Sequence, residues 1–289
     1  MTSNKIVFDE TEYTYVEALQ NNYKITLHND LIKATFAPLS LVEQKIIYAA
    51  LSLIPPAQVK VDDSGNRYVD KIDKIDPIAI PHQALQNIMD VEKLNYTRLK
   101  SLAKSLTSKT ILFDDPQSQH AKSIQWIIEA QSVRGMFYVI ISPRLYKYVL
   151  NLERNFTTVD LGTIMRFKSK YTAPLYFIFK ESLKYSKTRT LEYDVEDLKA
   201  ILGVPEGSLK VYGHFKDKAL NKALKDIQSN TNLQVDCVEL KRGNKVIKLV
   251  FDITEINVAT VKQAPAATKD VNKPSTGISG LVATLFGTN

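Results

Sequence analysis

Hydrophobic positions along the chain fall into stretches of helical and of strand periodicity, and the order of those stretches repeats. The clearest helical stretch covers residues 214–228, where Phe215, Ala219, Leu220, Ala223, Leu224 and Ile227 share one face, as in an amphipathic helix. On an ideal helix Lys218, Asn221, Lys222 and Lys225 share the opposite face. Lys216 falls toward the apolar side and is expected to snorkel from the first turn. Two strands are predicted next, over 233–240 and 245–253, joined by the cationic turn Lys241-Arg242-Gly243-Asn244, with Lys245 directly after it. A cationic helix followed by a cation-tipped hairpin suits a duplex. Such a helix can enter a major groove, and such a tip can reach the neighbouring phosphates. Taken singly, lysines on the outer face of a helix are simply solvated.

The first half has the same order. Ser40-Leu41-Val42-Glu43 is a capping-box sequence. It opens a helix predicted to reach about residue 53, where Pro55-Pro56 stops it. A hairpin is predicted across Ser64-Gly65-Asn66, and a short helix over 81–89. The next helix, 96–106, has Tyr96, Leu99, Leu102, Ala103 and Leu106 on its apolar face. Thr97, Lys100, Ser101 and Lys104 lie on its outer face. Three strands are predicted after it, over 110–113, 124–130 and 136–141, with Arg134 near the tip of the turn at 131–135. Ser142-Pro143 then starts a helix.

In the second half, Arg166-Phe167-Lys168-Ser169-Lys170 reads as a solvated basic run able to meet phosphate. A helix over 171–184 packs through Tyr176, Phe177, Phe179 and Leu183. A strand over 190–193 and a helix over 195–202, capped by Asp194 and stopped by Gly203, lead into the helix and hairpin described first. Helix, helix, hairpin is the order of a winged helix-turn-helix, and it occurs twice without an obvious residue-level repeat.

Composition narrows the possibilities. The 289 residues are 44% hydrophobic and 24% charged, ordinary for a globular protein that buries a core. A single cysteine, Cys237, leaves no disulfide framework and no cysteine-based zinc site. No apolar run is long enough to span a bilayer, and residues 1–13 lack the layout of a signal peptide, so a cytoplasmic location is expected. The formal charge is +7. Residues 151–253 hold 18 Lys and Arg against 13 Asp and Glu, whereas residues 1–150 are nearly balanced. The excess therefore surrounds the cationic helix and hairpin, which favours a polyanionic partner.

The residues resemble a family. Residues 25–53, ITLHNDLIKATFAPLSLVEQKIIYAALSL, are similar to the opening signature of the replication initiator (Rep) proteins of iteron-containing, theta-replicating plasmids. Residues 169–184, with Ala-Pro-Leu-Tyr, and residues 215–253, with Asn-Thr-x-Leu and Lys-Arg-Gly, are similar to later parts of it. The resemblance covers residues 23–253. It implies an α+β protein of two tandem winged-helix domains with a flexible C-terminal tail. The expected division is an extension at 1–22, an N-terminal domain at 23–152, a C-terminal domain at 153–254, and a linker and tail at 255–289. It also implies binding to repeated double-stranded origin DNA, one domain per major groove, and self-association through the N-terminal domain. Dimers would repress the initiator's own promoter. Bound monomers would help open an A·T-rich region and recruit the host initiator and helicase. The apolar end of the tail, residues 280–286, is a candidate docking peptide.

No catalytic residue, cofactor or metal is expected. A rolling-circle nicking enzyme would need a metal held by clustered histidines and a nucleophilic tyrosine. His28, His82, His120 and His214 are scattered, with no His-x-His pair, and no phosphate-binding loop motif occurs. A winged-helix transcription regulator and a winged-helix protein-interaction module are the remaining alternatives.

Overall fold

The computed structural model describes residues 23–54, 58–65, 67–70, 72–115 and 119–256, together with the backbone of two strands, Asn4–Phe8 and Thr11–Tyr15. Residues 257–289 of the predicted tail, including the candidate docking peptide, lie outside this set.

In the first half, His82–Met89 and Tyr96–Leu106 form a helix-turn-helix. The turn leaves the first helix through Asp90 in the left-handed region, and Asn95 Oδ1 accepts the Arg98 N–H at 2.8 Å to open the second helix. Leu99, Leu102 and Leu106 face the core as predicted. Tyr96 does not. It is 77% exposed, at the first position of the helix.

The three strands predicted next are four, in two hairpins. Thr110–Asp115 and His120–Gln125 pair with each other, and the former with Thr35–Phe36. Ile127–Val133 and Met136–Ile141 pair with each other, and the latter with Ile78–Pro81 in a sheet that also holds the two N-terminal strands. The single run read over 124–130 is in fact a change of sheet at Trp126, whose buried ring stacks on Phe36 with centroids 5.7 Å apart. Arg134 therefore tips a different hairpin from the one that follows the helix Tyr96–Leu106. Ser142 sits at an N-cap position without a side-chain cap bond.

The second half runs Thr188–Asp194, Val195–Ile201, Tyr212–Asn230, Leu233–Arg242 and Lys245–Glu255. Lys245–Glu255 is the central strand of the three. Asp194 stands at the N-cap of Val195–Ile201 but makes no side-chain cap bond. The C-terminal stop is as predicted. Gly203 takes a φ of +67°, the Gly203 N–H bonds Ala200 O, and the Val204 N–H bonds Lys199 O. That double closure is the Schellman arrangement.

The two halves share one buried cluster. Its spine is the helix Thr172–Ser182, buried from Thr172 to Phe179. Phe177 faces Tyr48 of the first half, with centroids 5.5 Å apart, and Phe179 faces Phe251 of the second, at 5.3 Å. The strand Phe156–Asp160 runs back to pair with Lys24–His28. Gly203 lies against the first half as well: a Cβ there would meet Phe36 O at 3.5 Å.

Candidate nucleic-acid interface

The helix Tyr212–Asn230 is fixed from beneath. Phe215, Ala219, Leu220, Ala223 and Ile227 are buried. Lys199, itself buried on Val195–Ile201, pairs with Glu196 Oε1 at 2.9 Å and lays its ammonium 5.4 Å from the centre of the Phe215 ring. The helix is not ideal. Over Lys216–Leu220 it widens into a π turn, in which the Asn221 N–H bonds Lys216 O. A π turn absorbs one extra residue and is frequent at functional sites. It lets Phe215 and Ala219–Leu220 face inward together. Lys218, Asn221, Lys222 and Lys225 all stay exposed on the outer side.

The hairpin turns at Gly243-Asn244, with Arg242 opposite Lys245. Gly243 has a φ of +61° and open space around it. Lys241, Arg242 and Lys245 are all exposed at this tip. Helix and hairpin are braced together. Lys216 Nζ lies 2.7 Å from Glu239 Oε1, which also accepts the Tyr212 hydroxyl at 2.8 Å. Lys216 is thus not a snorkelling side chain but a strut. Glu239 raises the Lys216 pKa through their hydrogen bond, and Lys216 in turn holds the Glu239 carboxyl below its ordinary value. Burial, followed by the bond to Glu239, pushes the Tyr212 hydroxyl well above its ordinary value. Cys237, partly buried beside them, is pushed up to about 11 by burial and stays a thiol at neutral pH.

The basic run 166–170 has more specific work than a solvated loop. Arg166 Nη2 donates to Asn230 O at 3.1 Å and so caps the C-terminal end of Tyr212–Asn230. The Lys168 N–H and Ser169 N–H donate to Asp226 Oδ2 at 2.7 and 3.2 Å. The Lys168 side chain is exposed, and Lys170 Nζ lies 5.1 Å from the Tyr171 ring centre. The run thereby lies against the helix Tyr212–Asn230.

In the first half, Thr97, Lys100, Ser101 and Lys104 are exposed along the outer face of Tyr96–Leu106. Arg98 is exposed among them. Residue spacing passed over it, although a cation beside Thr97 was signal enough. Arg134 is exposed on its separate hairpin. Among the described residues no three His, Cys, Asp or Glu side chains gather as metal ligands would, and no helix is long and apolar enough to cross a membrane.

Comparison with known proteins agrees with this arrangement. Residues 24–180 match the family described as initiator replication protein, WH1. Residues 194–253 match the one described as initiator Rep protein, WH2. Among solved structures, the Pi initiator protein in complex with iteron DNA is similar in fold, with a TM-score of 0.62 and 20% sequence identity. The likeness spans 82% of this chain and 99% of that one. The chain belongs to the initiator replication protein family and is built from its two winged-helix domains, WH1 followed by WH2.

Proposed function

We propose that the chain starts plasmid replication by binding repeated double-stranded sites at the origin, each winged helix addressing one major groove. The observation that carries this reading is the exposed row Lys218, Asn221, Lys222 and Lys225, on a helix that the Lys216–Glu239 pair braces to the hairpin whose exposed tip holds Lys241, Arg242 and Lys245. Lysines supply salt-dependent grip on phosphate, and Asn221 supplies a side chain able to pair with an adenine edge. Thr97, Arg98, Lys100, Ser101 and Lys104 make the weaker second contact. That a similarly folded initiator is known in complex with iteron DNA supports the choice of target.

In this reading the chain acts in the cytoplasm and performs no bond chemistry. Several copies crowded onto tandem sites strain the DNA, and the cost falls on the most easily deformed A·T-rich segment. Recruitment of the host initiator and helicase, and repression of the chain's own promoter by a dimer, complete the proposal. Footprinting on the DNA flanking the coding region tests it. Regularly spaced protection is expected. Uniform, sequence-independent protection would reject the origin-binding role, and magnesium-dependent nicking of the same DNA would reject the absence of chemistry.

A further inference from the structure

The first turn of the helix Leu41–Ser52 links the two recognition helices, binding Tyr96–Leu106 directly and reaching Tyr212–Asn230 by way of the segment 168–170. Glu43 closes the capping box, taking the Ser40 N–H at 2.7 Å and returning its own N–H to Ser40 Oγ at 3.2 Å. The same carboxylate accepts the Ser105 hydroxyl near the end of the first recognition helix, with Lys109 Nζ at 3.6 Å. Burial alone would raise its pKa. The bonds from Ser105 and Ser40, and the charge of Lys109, more than offset this and hold it below the ordinary value.

The adjacent residue reaches the other way. Gln44, 5% exposed, donates from Nε2 to Lys170 O at 2.7 Å. Lys170 ends the basic run whose Lys168 and Ser169 N–H groups are held by Asp226. Asp226 projects from the second recognition helix, is 8% exposed, and also accepts the Thr172 hydroxyl at 2.8 Å at the start of the spine helix. Burial holds the Lys45 ammonium below its ordinary pKa, against the opposing pull of the Asp226 and Asp90 carboxylates. A series of largely shielded polar contacts, joined by short stretches of backbone, thus runs from Ser105 to Glu43, from the adjacent Gln44 to Lys170, and from Lys168 and Ser169 to Asp226 on the second recognition helix.

We propose that Glu43, Gln44 and Asp226 are positioning residues that set the separation and rotation of the two recognition helices, so that the chain accepts two half-sites at one spacing only. Buried hydrogen bonds suit this task better than apolar packing does. They are directional, and a shifted partner leaves a polar group unpaired. One inserted base pair moves the far half-site by about 3.4 Å and turns it by about 35°. A rigid frame cannot follow such a change.

The proposal rests on the groove-binding reading above, and the test separates the two. The full chain, its Gln44→Met variant and its Asp226→Asn variant are each used to select duplexes from a random-sequence DNA pool. Circular dichroism and thermal melting check the fold. Wild type is expected to return two half-motifs at a single spacing. The variants are expected to return the same half-motifs at several spacings. In direct titration, the penalty for one inserted base pair should fall from at least about tenfold to under about threefold. Variants that keep a single spacing and the full penalty overturn the positioning role while leaving groove binding intact. A wild-type selection without any motif overturns both. Gln44→Met removes only a side-chain amide, so it carries the test alone should Asp226→Asn not fold.

Discussion

Lys216 and Glu239 join the second recognition helix to its wing: the ammonium lies 2.7 Å from the carboxylate, and the Tyr212 hydroxyl shares the same oxygen. The lysine is therefore neutralised in place, unlike Lys222 and Lys225 a few residues on. Lys216→Gln should change the slope of log affinity against log salt by much less than Lys222→Gln does. Glu239→Gln frees the ammonium, and the slope should steepen by up to about one phosphate contact. Mobility-shift titrations at three salt concentrations decide it. Equal slopes for Lys216→Gln and Lys222→Gln would show that Lys216 leaves Glu239 to meet DNA.

The same pair predicts a pH window. Glu239 is held below its ordinary value of 4.5, so its contribution is complete above that pH and is lost as pH falls through the lowered value. Lys216 is raised above 10.5, so its contribution is complete below that pH and is lost as pH rises through the raised value. Between about pH 5 and pH 10 the brace should be insensitive to pH. Melting temperatures of the wild type and of Glu239→Gln should therefore differ by a constant amount across that range and converge in acid.

Lys222→Ala combined with Lys225→Ala should leave folding intact and weaken duplex binding. Both side chains are exposed and face away from Ala223 and Ile227. Loss of two phosphate contacts should lower the salt slope by about two. Mobility-shift titration against the footprinted site, with a thermal melt as control, measures both. Unchanged affinity would remove these lysines from the interface.

Gly243 and Gly203 both have positive φ, at +61° and +67°, but for different reasons. Around Gly243 there is open space, so Gly243→Ala should cost only backbone strain, about 1 kcal/mol, and Gly243→Asn less. At Gly203 a Cβ would meet Phe36 O at 3.5 Å, an ordinary contact, so backbone strain is the main cost there too. Gly203→Ala and Gly243→Ala should therefore destabilise by similar amounts in urea unfolding. A clearly larger cost at Gly203 would mean that the backbone around Phe36 resists even this contact.

The shared cluster predicts cooperative unfolding. Trp126 is the single tryptophan and lies in the first half, whereas Phe251 lies in the second. Phe251→Ala should cost about 3–5 kcal/mol. It should move the Trp126 fluorescence midpoint as far as it moves the circular dichroism midpoint. A fluorescence transition that stays where it was would show two independently melting halves.

Local pattern made much of this legible. The capping box at Ser40 and Glu43, the glycine stop at Gly203, the inward leucines of Tyr96–Leu106 and the exposed lysine row all follow from short-range rules. Resemblance of the chain to the plasmid initiators supplied the rest of the fold reading. What pattern could not give depends on distant partners. The π turn exists because Phe215 and Leu220 must both reach the core. Tyr96 is exposed among the described residues, though its spacing marked it as apolar. Arg166 looked like a cation for phosphate, yet it caps a helix end at Asn230, 64 residues away. Gln44 and Asp226 carried no sequence signal as a pair, since each bonds a different residue of the segment 168–172, and Lys170 is 126 residues from Gln44.

The spine helix Thr172–Ser182 has almost no side left to water, and its aromatic row packs on Tyr48 of the first domain and on Phe251 of the second. Length changes are thus easy to absorb at the hairpin tips and ruinous here. A hybrid initiator given a foreign second domain would keep this helix and Tyr48, so the import would have to offer Phe179 a ring in the place of Phe251 or be left with mismatched packing at the seam.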